Sequence, residues 1–112
     1  MTSSDYMFTV TANFTADPVS RVLRFWAETL GLGAPRVESS PYNQVLQSLL
    51  DPGSTLASRT PGVNFILIRL EDWGRNQDRD HYAETIRATA SEFMTAVTDF
   101  VRRSKRPSIV CL

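Results

Sequence analysis

The sequence predicts a single α/β domain on a mostly parallel sheet. Short apolar runs rich in β-branched and aromatic residues alternate with segments of helical periodicity, and turn residues fall between them. One apolar run, Val63 to Leu70, is nearly continuous, as in a strand covered on both faces.

Met7 to Ala12 is the first strand. Asp17-Pro18 opens the first helix: the Asp17 carboxylate suits a cap, and Pro18 suits the first helical position because its missing N–H would be unpaired there. Val19, Val22, Leu23, Trp26 and Leu30 recur at helical spacing with Arg21, Arg24 and Glu28 opposite, and Gly31 suits the C-terminal cap, giving a helix from about Pro18 to Leu30. Arg36 to Glu38 is a short strand, placed near an edge because only Val37 is apolar. Tyr42 to Leu50 is the second helix, striped by Val45, Leu46, Leu49 and Leu50 and stopped by Asp51-Pro52-Gly53. A polar connection, Gly53 to Gly62, with room for a helical turn, leads to the Val63 to Leu70 strand, expected mid-sheet. Asp78 to Ser104 is a long helix whose expected buried face carries Tyr82, Ile86, Ala90, Phe93, Met94, Val97, Phe100 and Val101. Pro107 ends it, and Ser108 to Leu112 starts a fourth strand.

The order βαβαβαβ with right-handed crossovers gives a flavodoxin-like or Rossmann-like three-layer domain. At 112 residues and 42% hydrophobic content the chain builds one core, so residues 7–112 are read as one domain behind a disordered tail at 1–6. With no helix after the fourth strand, the fold is expected to be truncated there and the native polypeptide to continue.

Twelve basic and twelve acidic residues cancel, which argues against a nucleic-acid partner. The one basic cluster, Arg102, Arg103, Lys105 and Arg106, is expected to offset the dipole at the long helix's C-terminus. The apolar runs are too short to span a membrane and the N-terminus lacks a signal-peptide pattern, so no membrane association and a cytoplasmic location are expected. Cys111, the only cysteine, is expected to be an inert core thiol.

In open parallel sheets ligands bind beyond the carboxyl ends of the strands. That rule gathers Asn13 and Thr15 after the first strand, Ser40, Tyr42, Asn43 and Gln44 after the second, and Glu71, Asp72 and Trp73 after the third. Amides and hydroxyls there suit a polar ligand, the carboxylates a proton, and the indole a planar group. The same residue types also satisfy loop backbone and helix caps. Phosphate-loop, dinucleotide and nucleophile-elbow motifs are absent, as is metal-ligand spacing of Cys or His, so no catalytic residue, metal or cofactor is expected. His81, near the start of the long helix, is expected to be exposed or cap-associated rather than a general base.

The segments TANFTADPVSRVLRFWAETLGL, PYNQVLQSLLDPGSTLAS (Pro41 to Ser58) and GVNFILIRLEDW (Gly62 to Trp73) resemble the N-terminal region of FkbH-like (HAD-IIIC family) proteins. That region is also found embedded in nonribosomal peptide and polyketide synthases. The resemblance covers nearly all of residues 7–112 and implies an SGNH-hydrolase-like α/β domain. In that family, complete proteins that prepare glyceryl starter units load a phosphoglycerate-derived acyl group onto an acyl carrier protein. The match departs where chemistry would sit. Asn13-Phe14-Thr15 stands where an active SGNH hydrolase carries its serine, the Asp-x-x-His element would lie beyond residue 112, and the acidic nucleophile motif of the phosphatase-like part is absent.

The first expectation is therefore an accessory, noncatalytic synthase domain that contacts a partner domain or an acyl or peptidyl carrier protein, with a homodimer as an open alternative. The second is the N-terminal half of an acyl-transfer or hydrolase-like enzyme, its catalytic residues downstream, in which Asn13, Thr15, Asn43, Gln44 and Asp72 line one pocket. The third is a small-molecule binding module using the same crest.

Overall fold

The protein is described by a computed structural model over residues 6–31, 36–40, 44–74 and 78–112. Strand β1 (Met7–Ala12) leads to helix α1 (Asp17–Thr29), β2 (Arg36–Ser39) to α2 (Val45–Leu50), β3 (Gly62–Leu67) to α3 (Arg79–Arg103), and β4 (Ser108–Cys111) follows. Short 3-10 turns at Thr55–Ala57 and Leu70–Gly74 flank β3. The sheet order is β2-β1-β3-β4 and every pair is parallel. With β1 between β2 and β3, this is the flavodoxin-like rather than the Rossmann-like order. The expected tail 1–6 lies outside the described residues except for Tyr6, whose ring meets Phe8 edge-on at 5.4 Å.

The register divides the sheet into two faces. On one, Thr9, Thr11, Asn64 and Ile66 lie beneath α2 and α3, where Val45, Leu49, Leu56, Ile66, Phe93 and Phe100 form the main core. Burying such side chains contributes about 1.5–3 kcal/mol each. On the other, Phe8, Val10 and Ala12 of β1 are buried, Val63, Phe65 and Leu67 of β3 are half-buried, and Ile109 and Cys111 of β4 are exposed. Cover thins from β1 toward β4 because, among the described residues, α1 is the helix on this face and it lies toward β2, with Ser20 Oγ 3.3 Å from Ser39 Oγ. Cys111 is accordingly exposed, not the core thiol expected of it.

Helix α1 begins one residue earlier than expected, with Ala16 at the N-cap and no side-chain cap; Asp17 sits inside the first turn, where its charge still suits the dipole. Gly31 adopts the left-handed φ of 78° that ends the helix. The apolar stripe is only partly used. Ser20 and Ala27 are buried and Val19 and Leu23 half-buried, whereas Trp26 is 52% and Phe25 60% exposed, and Val22 and Leu30 are exposed too. Helix α3 overhangs the sheet: Phe93, Ala96 and Phe100 are buried, but the expected core residues Tyr82, Met94 and Val101 are exposed. Its first turns pack instead on the Leu70–Gly74 turn, Tyr82 lying against Gly74.

Candidate functional site

The carboxyl ends of β1 and β3 are joined by a side chain. Asn13, 4% exposed, donates from Nδ2 to the Arg69 carbonyl at 3.0 Å, and its Oδ1 accepts the Arg69 N–H at 2.8 Å. The amide thus continues the sheet by one residue, at the switch point where a flavodoxin-like order otherwise opens its ligand crevice.

Arg69, which the strand reading passed over, is the centre of the crest. Its guanidinium lies over the Phe14 ring, 5.1 Å from the centroid, as a cation on an aromatic face. Nε is 3.9 Å from Glu71 and Nη1 is 3.9 Å from Asp72. The expected carboxylates thus neutralise a cation, in a pairing readable in the order Arg69-Leu70-Glu71-Asp72, a cation followed within one turn by two acids. Trp73 is half-buried and its ring stands 5.6 Å from that of Phe93, so it roofs the core rather than an open site.

Thr15 lines a shallow cavity of about 200 Å³ with Phe14, Ala16, Asp17, Ser39 and Ser40. Gln44 lines a different cavity, of about 270 Å³, with Gln47, Asp51 and Ser54; Ser39 and Ser40 border both. Tyr42 and Asn43 lie outside the described residues. Among those described, Asn13 is held in the sheet, Thr15 and Gln44 face two cavities, and Glu71 and Asp72 gather on Arg69. Ser40, between the cavities, gives its hydroxyl to Thr11 at 2.6 Å. Among the described residues no hydrogen bond joins the Thr15 hydroxyl to a base that would activate it.

His81 is exposed and stands against the N-cap of α3, within what its place in the sequence suggested. Asp78 Oδ1 accepts the His81 N–H at 3.0 Å and lies 2.7 Å from the ring Nδ1. Among the described residues no helix is long and apolar enough to cross a membrane.

Comparison of the chain with family models, with curated proteins and with solved structures finds no match.

Proposed function

We propose that the chain is an accessory, noncatalytic domain of a cytoplasmic nonribosomal peptide or polyketide synthase, and that it docks an amphipathic helix of another synthase domain, such as a carrier protein, on the open face above β3 and β4. The observation that carries this is the unburied flank of α1 beside that strip. Ser20 marks the flank over β2; Val22 and Trp26 lie about a third of a turn or more away round the helix, on the side toward β3. That flank carries no charge between Val22 and Leu30, and the strip beside it carries half-buried Phe65 and exposed Ile109 and Cys111 on the same face of the sheet.

Size names the occupant. Two neighbouring strands span about 10 Å, and a helix is about 10 Å across, so the strip over β3 and β4 takes one helix lying beside α1. Val22, Trp26 and Ile109 keep 53%, 52% and 47% of their surfaces exposed there, apolar surface of the kind that a stable interface buries. Doubly wound sheets bury both faces under helices, so this strip is where a partner helix contributes most.

The resemblance to FkbH-like N-terminal regions supplies the setting. The Asn13 clip and the unactivated Thr15 hydroxyl favour the noncatalytic role over that of half an acyl-transfer enzyme.

Trp26 reports on docking directly. In a Trp73→Phe chain, Trp26 is the remaining tryptophan, and its emission is expected to shift to the blue when a carrier protein or neighbouring synthase domain is titrated in, with the light-scattering mass of one chain plus one partner. Unchanged emission with every domain of the synthase, or a mass of two chains without a partner, would contradict the proposal in favour of no docking or of a homodimer.

A further inference from the structure

At the opposite end of the sheet from the crest, a cleft of about 290 Å³ lies between the loop before β3 and the end of α3, lined by Ser58, Arg59, Phe100, Arg103, Ser104 and Lys105 among others. Three cations line it and no carboxylate does. Three other cavities of the molecule show the reverse, with Asp17, with Glu92 and Asp99, or with Asp51 in the lining and no Lys or Arg. Among the described residues no ion pair engages Arg59, Arg103, Lys105 or Arg106.

The helix dipole does not account for this cluster. The C-terminus of α3 carries about half a negative charge, which one cation of its last turn offsets. Arg59 belongs to the loop before β3, not to α3, and brings its charge to the cleft from the other wall. Behind that loop lies a further cation. Arg106 is 6% exposed; its Nε donates to the Thr60 carbonyl at 2.7 Å and its Nη1 to Thr9 Oγ1 and Asn64 Oδ1 at 2.9 and 3.0 Å. Nη2 has no partner among the described residues, and no carboxylate compensates the buried charge. Burial lowers the Arg106 pKa from its ordinary value by desolvation, a measure of how poorly that charge is screened.

The cleft's donors are held in place. Arg103 Nη2 donates to the Leu49 carbonyl at 2.8 Å, which fixes the guanidinium at the rim with other N–H groups left over. Ser58 Oγ accepts the Thr60 N–H at 3.2 Å, leaving its own O–H to donate. Arg59 on one wall and Arg103 and Lys105 on the other, with the Ser58 hydroxyl as a further donor, suit an oxyanion of more than one charge, and the volume is at the small end of ligand pockets, about 300–1,000 Å³. We infer that this cleft binds a phosphate or diphosphate group carried on a small organic anion.

The test is a titration of the ¹⁵N-labelled chain with inorganic phosphate, pyrophosphate and acetate at constant ionic strength. Pyrophosphate is expected to give saturable shifts at the amides of Ser58, Arg59, Ser104 and Lys105, at least tenfold tighter than acetate. The Arg59→Gln/Lys105→Gln chain, both positions exposed, is expected to bind at least tenfold more weakly. The Arg21→Gln/Arg24→Gln chain, with the same loss of charge on α1, is expected to bind as before. Absence of saturable shifts, or an equal loss in both double variants, would overturn the assignment.

Discussion

The side-chain amide of Asn13 and the backbone of Arg69 exchange two hydrogen bonds, 3.0 and 2.8 Å long, across 56 residues of sequence. A strand pair that ends its backbone ladder at Ala12 and Leu67 is thereby extended by a side chain. The amide that could have faced a ligand at the switch point is thus spent on the backbone of Arg69.

Asn13→Ala removes both bonds and leaves an N–H and a carbonyl without partners at a partly buried site. A loss of about 2 kcal/mol is expected, since an unmade hydrogen bond at a buried group costs about 1–3 kcal/mol. A lower urea midpoint at unchanged slope checks it. An unchanged midpoint would mean that the amide is free for a ligand.

Gly62 faces Met7 across the β1–β3 ladder, and a Cβ there would fall on the Met7 carbonyl. The atoms it would meet are all backbone of Met7, which leaves nothing flexible to give way. Gly62→Ala is expected to cost about 3 kcal/mol or more, the upper end of overpacking, read as a drop in thermal midpoint.

Arg106→Gln strips donors from Thr60, Thr9 and Asn64, and a loss of about 3 kcal/mol is expected from unpairing buried acceptors of a charged donor. The pH dependence follows from the lowered pKa of the folded state. Folded and unfolded chains differ in protons bound at this site only as pH approaches that lowered value; there the unfolded chain holds more protons, and stability rises with pH. Well below it both states are charged and the burial cost is constant. The difference between wild type and variant is therefore expected to be the same at about pH 6 and about pH 9 in urea titrations.

Phe25→Ser/Trp26→Ser is expected to change stability by less than about 1 kcal/mol, because both side chains are largely exposed, whereas Phe93→Ala is expected to cost about 3–5 kcal/mol. Parallel urea titrations check the contrast. A large loss from the α1 pair would place those rings in the core.

The elements were legible wherever local chemistry decides them. Met7–Ala12 is bounded as its β-branched run suggests, and α3 begins within a residue of where its periodicity places it, with Asp78 at the N-cap. Burial was less legible, because periodicity tells which side chains share a face and not whether another element reaches that face. The stripe of α1 and residues Tyr82, Met94 and Val101 of α3 have the spacing of core residues but stand where the sheet ends or stays open. At the crest, the strand-end rule located Asn13, Glu71 and Asp72, but Arg69 was hidden as the last polar residue of an apolar run. The foot cleft was hidden for a different reason: Arg59 is 44 residues from Arg103 in sequence, and only the parallel crossover brings the β3 loop to the end of α3.

The most direct test of docking on the open face is a photo-crosslinker at position 26, carried by the protein in its producing cells, with the same group at Arg79 as a control on the far side of the fold. Crosslinked peptides identified by mass spectrometry are expected to come from an amphipathic helix of a carrier protein or neighbouring synthase domain at position 26, and not at position 79. Crosslinks at position 26 that lead only to a second copy of this chain, or that match the control, would contradict the account.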